Sequence, residues 1–180
     1  MMNVGIIFYA AQQTNDEHLW RIANQHCLTT RKYLVRGDGS TAHEGIFDLD
    51  TGEFLRQTTH QGWRHDSSWA RGLAWALYGF GTAYAFTKDV RYLQTAGACA
   101  NFYIARTPGH GVPPNDWDEP HPQTPYESSA AAIAATGMWN LARLTSAAES
   151  TEAQAPPPVL FLMSMVSVLV PPAGFTSATA

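Results

Sequence analysis

The chain has 180 residues, of which 45% are apolar and 14% charged, and its formal net charge is −4. That composition builds a globular domain with a proper core and excludes a disordered chain. The acidic balance also speaks against a protein that tracks nucleic-acid phosphates. Aromatics reach 12%, with six tryptophans and seven tyrosines. Without a basic excess, this fits an uncharged or weakly anionic ligand such as a sugar, although large cores use aromatics too.

Residues 1–12 form an apolar run that reads as a buried helix, and with no basic residue before Arg21 the pattern is not that of a secretory signal peptide. Asn15 and Asp16 offer an N-cap for a helix over 17–35, where Leu19, Ile22, Ala23 and His26 recur near helical spacing. Residues 43–59 hold two short alternating runs around Asp50-Thr51-Gly52, which predicts a β-hairpin. Asp66 or Ser67 is placed to cap a Gly- and Ala-lined helix over 68–87, broken by Lys88-Asp89. Residues 90–107 supply a partner helix. The Pro-rich loop 108–127 is long for an idle connection, and 128–146 reads as a third small-residue helix.

Small-residue and amphipathic helices therefore alternate. The expected class is all-α, with helical hairpins side by side, small-residue helices inside, and one small β-hairpin. The domain is expected over 1–148. Residues 149–180 read as a Pro-rich, apolar tail outside the fold. Its run "VLFLMSMVSVLV" falls short of the roughly 20 residues that span a membrane. Cys27 and Cys99 lack CxxC spacing and read as buried free thiols.

The stretch "HQGWRHDSSWARGLAW", residues 60–75, crowds three tryptophans, two arginines, two histidines and one aspartate together. On a helix beginning near Ser67, the side chains of Ser68, Arg71, Trp75 and Tyr78 share a face. Arg71 offers a planar fork to a carboxylate, Trp75 a flat surface for a sugar ring, and Gln61 an amide for hydroxyls. The competing reading pairs Arg71 with a nearby acid and puts Trp75 in the core; spacing alone does not choose between them. His43, His60 and His65 match no zinc spacing, so no metal and no cofactor is expected. Asp116 and Asp118 fit either a carboxylate pair for glycoside hydrolysis or a turn.

Three segments taken together, "HQGWRHDSSWARGLAWALYGF", "GVPPNDWDEP" and "YESSAAAIAATGMWNLARL", resemble the unsaturated glucuronyl hydrolases of glycoside hydrolase family 88. The opening "MMNVGIIFYAA" is similar to a further family segment, and the resemblance covers roughly residues 1–148. It implies part of an (α/α)6 toroid, about half of its helical hairpins, around a deep pocket. It also implies action on oligosaccharides that carry a Δ4,5-unsaturated uronic acid at the non-reducing end. There an aspartic acid protonates C4 of the vinyl ether, water adds at C5, and the hemiketal opens to release the sugar. His43 matches a family histidine near the reacting ring, and Gln61, Arg71 and Trp75 match positions that hold the uronate and its neighbour.

In the family pattern the catalytic aspartate lies just before the Met-Met-Asn segment, so the resemblance places no catalytic residue within this chain. The expectation is therefore a fragment that keeps part of the substrate wall and is inactive alone. Its partner is an unsaturated uronic-acid oligosaccharide, with no nucleic acid and no membrane. Self-association through exposed inner helices is also expected. The family setting implies a cytoplasmic full-length enzyme. The alternative is a non-catalytic carbohydrate-binding or helical interaction module.

Overall fold

A computed structural model of the chain describes residues 1–120 and 126–149. Five helices and one hairpin follow in chain order: α1 (Val4–Thr14), α2 (Glu17–Leu34), β1 (Glu44–Phe47), β2 (Phe54–Thr58), α3 (Ala70–Thr87), α4 (Val90–Arg106) and α5 (Ser128–Glu149). The expected tail lies, from residue 150 onward, outside the described residues.

Capping sets most boundaries. The Asp16 carboxylate accepts from the backbone N–H groups of His18 (2.8 Å) and Leu19 (3.1 Å) and so opens α2. Asp89 does the same for α4 through Arg91 N–H. Lys88 takes the left-handed conformation that closes α3, as Asn15 does for α1. The start of α3 differs from expectation. Neither Asp66 nor Ser67 caps it: Asp66 pairs with Arg64 and Ser67 bonds Asp116, leaving Trp69 at the cap without a side-chain bond. The first helical N–H, from Ala70, donates instead to the Asn115 carbonyl at 2.9 Å. A distant loop thus does the work of a local cap.

Helices α1, α3 and α5 form an inner row, with α3 packed against both neighbours, while α2 packs on α1 and α4 on α3. Small residues set this arrangement. At Gly137 of α5, a Cβ would meet the Tyr78 backbone at 3.2 Å, so glycine lets α5 approach α3 closely. The core gathers Val4, Phe8, Leu73, Leu77, Phe80, Tyr92 and Leu141. On α2 the buried stripe is Ala23, Cys27 and Thr30, and Ile22 is exposed. The stripe is rotated from the expected one because small side chains, rather than the bulkiest ones, face the close contact. Both cysteines are free and buried, and burial pushes each thiol up to about 12.

The hairpin pairs Glu44 with Thr58 and Phe47 with Phe54, with a bulge at Ile46/Phe47. Its turn is ordered by Asp48, whose carboxylate accepts from the N–H groups of Asp50 and Thr51, and by Gly52 at φ 72°. Phe54 stacks on Tyr33 at 4.5 Å and Phe47 meets it edge-on, which docks the sheet on the end of α2.

Candidate functional site

A cavity of about 600 Å³ opens between α2, the base of the hairpin and the first turns of α3. His43, Gln61, Arg71 and Trp75 all line it, although they come from three different elements of the chain. Trp75 is half-buried with this open space beside it, which removes the reading in which it is core. The expected helix face divides. Arg71 and Trp75 point to the cavity, Ser68 is buried, and Tyr78 lines a separate cleft between α3 and α5.

Arg71 is held from several sides. One guanidinium nitrogen (Nη2) donates to Gln61 Oε1 at 2.6 Å, while the other (Nη1) donates to Ser129 Oγ at 3.3 Å and lies 3.6 Å from Glu127 Oε2. Its plane also sits 4.7 Å over the Trp69 ring. Because the Gln61 carbonyl is occupied by Arg71, the side chain of Gln61 is left with its amide N–H groups to offer. Arg71 keeps some solvent exposure, so it combines a partner acid with access to a ligand.

His43 packs 4.4 Å from the same Trp69 ring. Its Nδ1 lies 3.0 Å from Thr59 Oγ1 and accepts from the His60 backbone N–H at 3.3 Å. Burial lowers the pKa of this imidazole, and nearby His60 and Arg71 add to that, against an opposing pull from Glu44. Glu44 is itself engaged by His60 Nδ1 at 2.8 and 2.9 Å.

Asp116 and Asp118 do not form a catalytic pair in this cavity. Asp116 is fully buried and accepts from Trp63 N–H (2.9 Å), Ser67 Oγ (2.6 Å) and Asp118 N–H (3.0 Å). Asp118 accepts from Ser68 N–H at 2.9 Å and lies 3.7 Å from Arg106. These carboxylates hold the 60–69 loop in place, a turn-forming use on a larger scale. Residue reading missed Trp69, Thr59 and Glu127. A tryptophan in the first turn of an expected small-residue helix reads as core, and the partners of the other two lie far away in sequence.

The chain as a whole matches known proteins. Over 143 residues the chain is 38% identical to an unsaturated glucuronyl hydrolase of Bacillus sp. (strain GL1), covering 79% of this chain and 38% of that protein. The chain is a relative of the unsaturated glucuronyl hydrolases, over part of their length. It is also 37% identical over 149 residues to an unsaturated glucuronyl hydrolase of Formosa agariphila, covering 81% and 37% of the two chains. The crystal structure of the Bacillus enzyme superposes with a TM-score of 0.81 at 34% identity, over 92% of this chain and 42% of that one. A heparin-specific unsaturated glucuronyl hydrolase gives 0.82 at 28% identity, over 93% and 43%. No protein-family model matches the chain. The chain thus spans well under half the length of the curated relatives it matches, and its inner and outer helices are part of an α/α toroid.

Proposed function

We propose that this chain supplies the substrate-holding wall of an unsaturated glucuronyl hydrolase site, carried by the helical unit over residues 1–148. The observation that carries the reading is the convergence of His43, Gln61, Arg71 and Trp75 on one cavity. In this reading Arg71 attracts the uronate carboxylate or a neighbouring polar group, Gln61 donates to a ring oxygen or hydroxyl, and Trp75 stacks on a sugar face. His43 stands near the reacting ring. The ligand is a Δ4,5-unsaturated uronic acid at the non-reducing end of an oligosaccharide.

Protonating C4 of the vinyl ether needs a carboxylic acid that still holds its proton near neutral pH. Among the described residues, no aspartate or glutamate lines the cavity. The wall therefore binds and orients, and the 180-residue chain by itself does not turn over. The test is titration calorimetry of the purified chain with an unsaturated uronyl disaccharide, together with the ultraviolet absorbance of its C4=C5 bond. Binding without absorbance loss is expected, and Arg71→Ala and Trp75→Ala should each weaken it at least tenfold. A folded chain that binds nothing, or one that bleaches the absorbance, defeats the reading.

We propose separately that the chain self-associates through α1. Ile6 and Tyr9 on the outward face of α1 are 68% and 55% exposed, an apolar edge on the inner row of helices. Sedimentation should show concentration-dependent dimers or larger species, reduced by Ile6→Glu. A strict monomer at high concentration contradicts this.

A further inference from the structure

His43 is bonded in a way that decides which of its nitrogens carries a proton. A backbone N–H can only donate, so the His60 N–H at 3.3 Å favours an unprotonated Nδ1. The second neighbour of Nδ1 agrees. Thr59 Oγ1, 3.0 Å away, already accepts from Gly62 N–H at 2.8 Å, which leaves its own hydroxyl proton free to donate to Nδ1. A chain runs from Gly62 N–H through the Thr59 hydroxyl to His43 Nδ1, and it polarises in one direction.

The other nitrogen is left with the proton. Nε2 has no hydrogen-bond partner among the described residues, since Glu44 stands 3.9 Å away and is turned to His60. The imidazole also packs at a tilt against Trp69 and lines the cavity. The charged and titratable groups that face it are Glu44, His60 and Arg71.

We propose that Thr59 is a positioning residue that fixes His43 in the Nε2–H tautomer, so that His43 meets substrate as a hydrogen-bond donor and not as a base. The donor role toward a sugar oxygen rests on the function proposed above, whereas the tautomer rests on the hydrogen bonds alone. Thr59 also ties the turn containing Gln61, so one hydroxyl organises two residues of the wall. Gly62 fits this packing, because a Cβ there would approach Thr59 Oγ1 to 2.9 Å.

The test is nitrogen NMR of the full chain labelled with 15N-histidine, with the His43 signals assigned by their loss in His43→Gln. Wild type should show a single neutral tautomer with Nδ1 unprotonated. Thr59→Val removes the nearer of the two donors to Nδ1 at nearly constant shape and should bring in a fraction of the Nδ1–H tautomer, since only the longer His60 N–H bond then opposes it; Thr59→Ser should restore the wild-type pattern. The other histidine signals report whether each variant keeps its fold. A wild-type His43 that is mixed or protonated on Nδ1 overturns the proposal, and so does a Thr59→Val spectrum equal to wild type. With an unsaturated uronyl disaccharide, Thr59→Val should bind about fivefold more weakly than wild type and Thr59→Ser close to it. Equal binding by all three overturns the donor role. Failure of all three to bind, with the tautomer pattern intact, defeats the cavity reading and leaves the Thr59 assignment standing.

Discussion

Removing the Asp116 carboxylate should loosen the whole 60–69 loop. In Asp116→Ala three donors lose their acceptor at once: Trp63 N–H, Ser67 Oγ and Asp118 N–H. A hydrogen bond to a charged acceptor contributes about 1.5–3 kcal/mol, but the terms are not additive and some donors will find water. Ser67 also has the Arg64 carbonyl at 2.7 Å as a second acceptor. A total loss of about 4 kcal/mol is therefore expected. For a chain of this size that corresponds to a fall in Tm of about 10 °C. Asp116→Asn keeps the shape and one oxygen but sets an amide against one N–H donor, so its loss should be about half as large. Thermal unfolding followed by circular dichroism reads both variants. An alanine variant that melts within about 2 °C of wild type would refute the view that Asp116 anchors the loop.

Gly39 lies at φ +87°, and a Cβ there would meet the Ala98 carbonyl oxygen at 2.2 Å. Gly39→Ala should cost about 3 kcal/mol, read as a drop in urea midpoint; an unchanged midpoint counts against it. His43 is held below its ordinary value of 6.5 by burial. Below pH 6.5 the unfolded chain takes up a proton that folded His43 refuses, so this group costs stability as pH falls and levels off below its folded pKa. Urea midpoints should fall from about pH 7.5 to about pH 5.5, one unit either side of 6.5, and less steeply in His43→Gln; a rise toward acid contradicts the sign. Cys27 and Cys99 should react with a thiol reagent only on unfolding, and fast labelling of the folded chain would refute their burial.

The order of helices and the hairpin were legible because each has a local cause: Asp16 and Asp89 as caps, Asp48 and Gly52 in the turn, and glycines and alanines on the inner row. The misplaced start of α3 had no such cause. Ser67 looked like a cap but spends its hydroxyl on Asp116, 49 residues away, a pairing that no local pattern encodes. The face of α2 misled for another reason, since close approach selected Ala23 and Cys27 over Ile22. Several motifs in family order put Gln61, Arg71 and Trp75 on one expected wall, and the structure brings them to one cavity, whereas spacing alone left Arg71 between ligand and salt bridge. The structure gives it both an acid partner in Glu127 and a place on the cavity wall.

The two ends of the β-hairpin live in different worlds. Its base carries His43, Glu44 and Thr59 beside the cavity, while its tip, Leu49 to Gly52, stands in solvent, with Leu49 99% exposed. About 13 Å of paired strand separates them, and the Tyr33, Phe47 and Phe54 rings clamp that length onto α2. The tip is thus a natural attachment point for a dye, an affinity tag or a grafted loop. Cargo placed there would travel with the cavity and report on it without entering it.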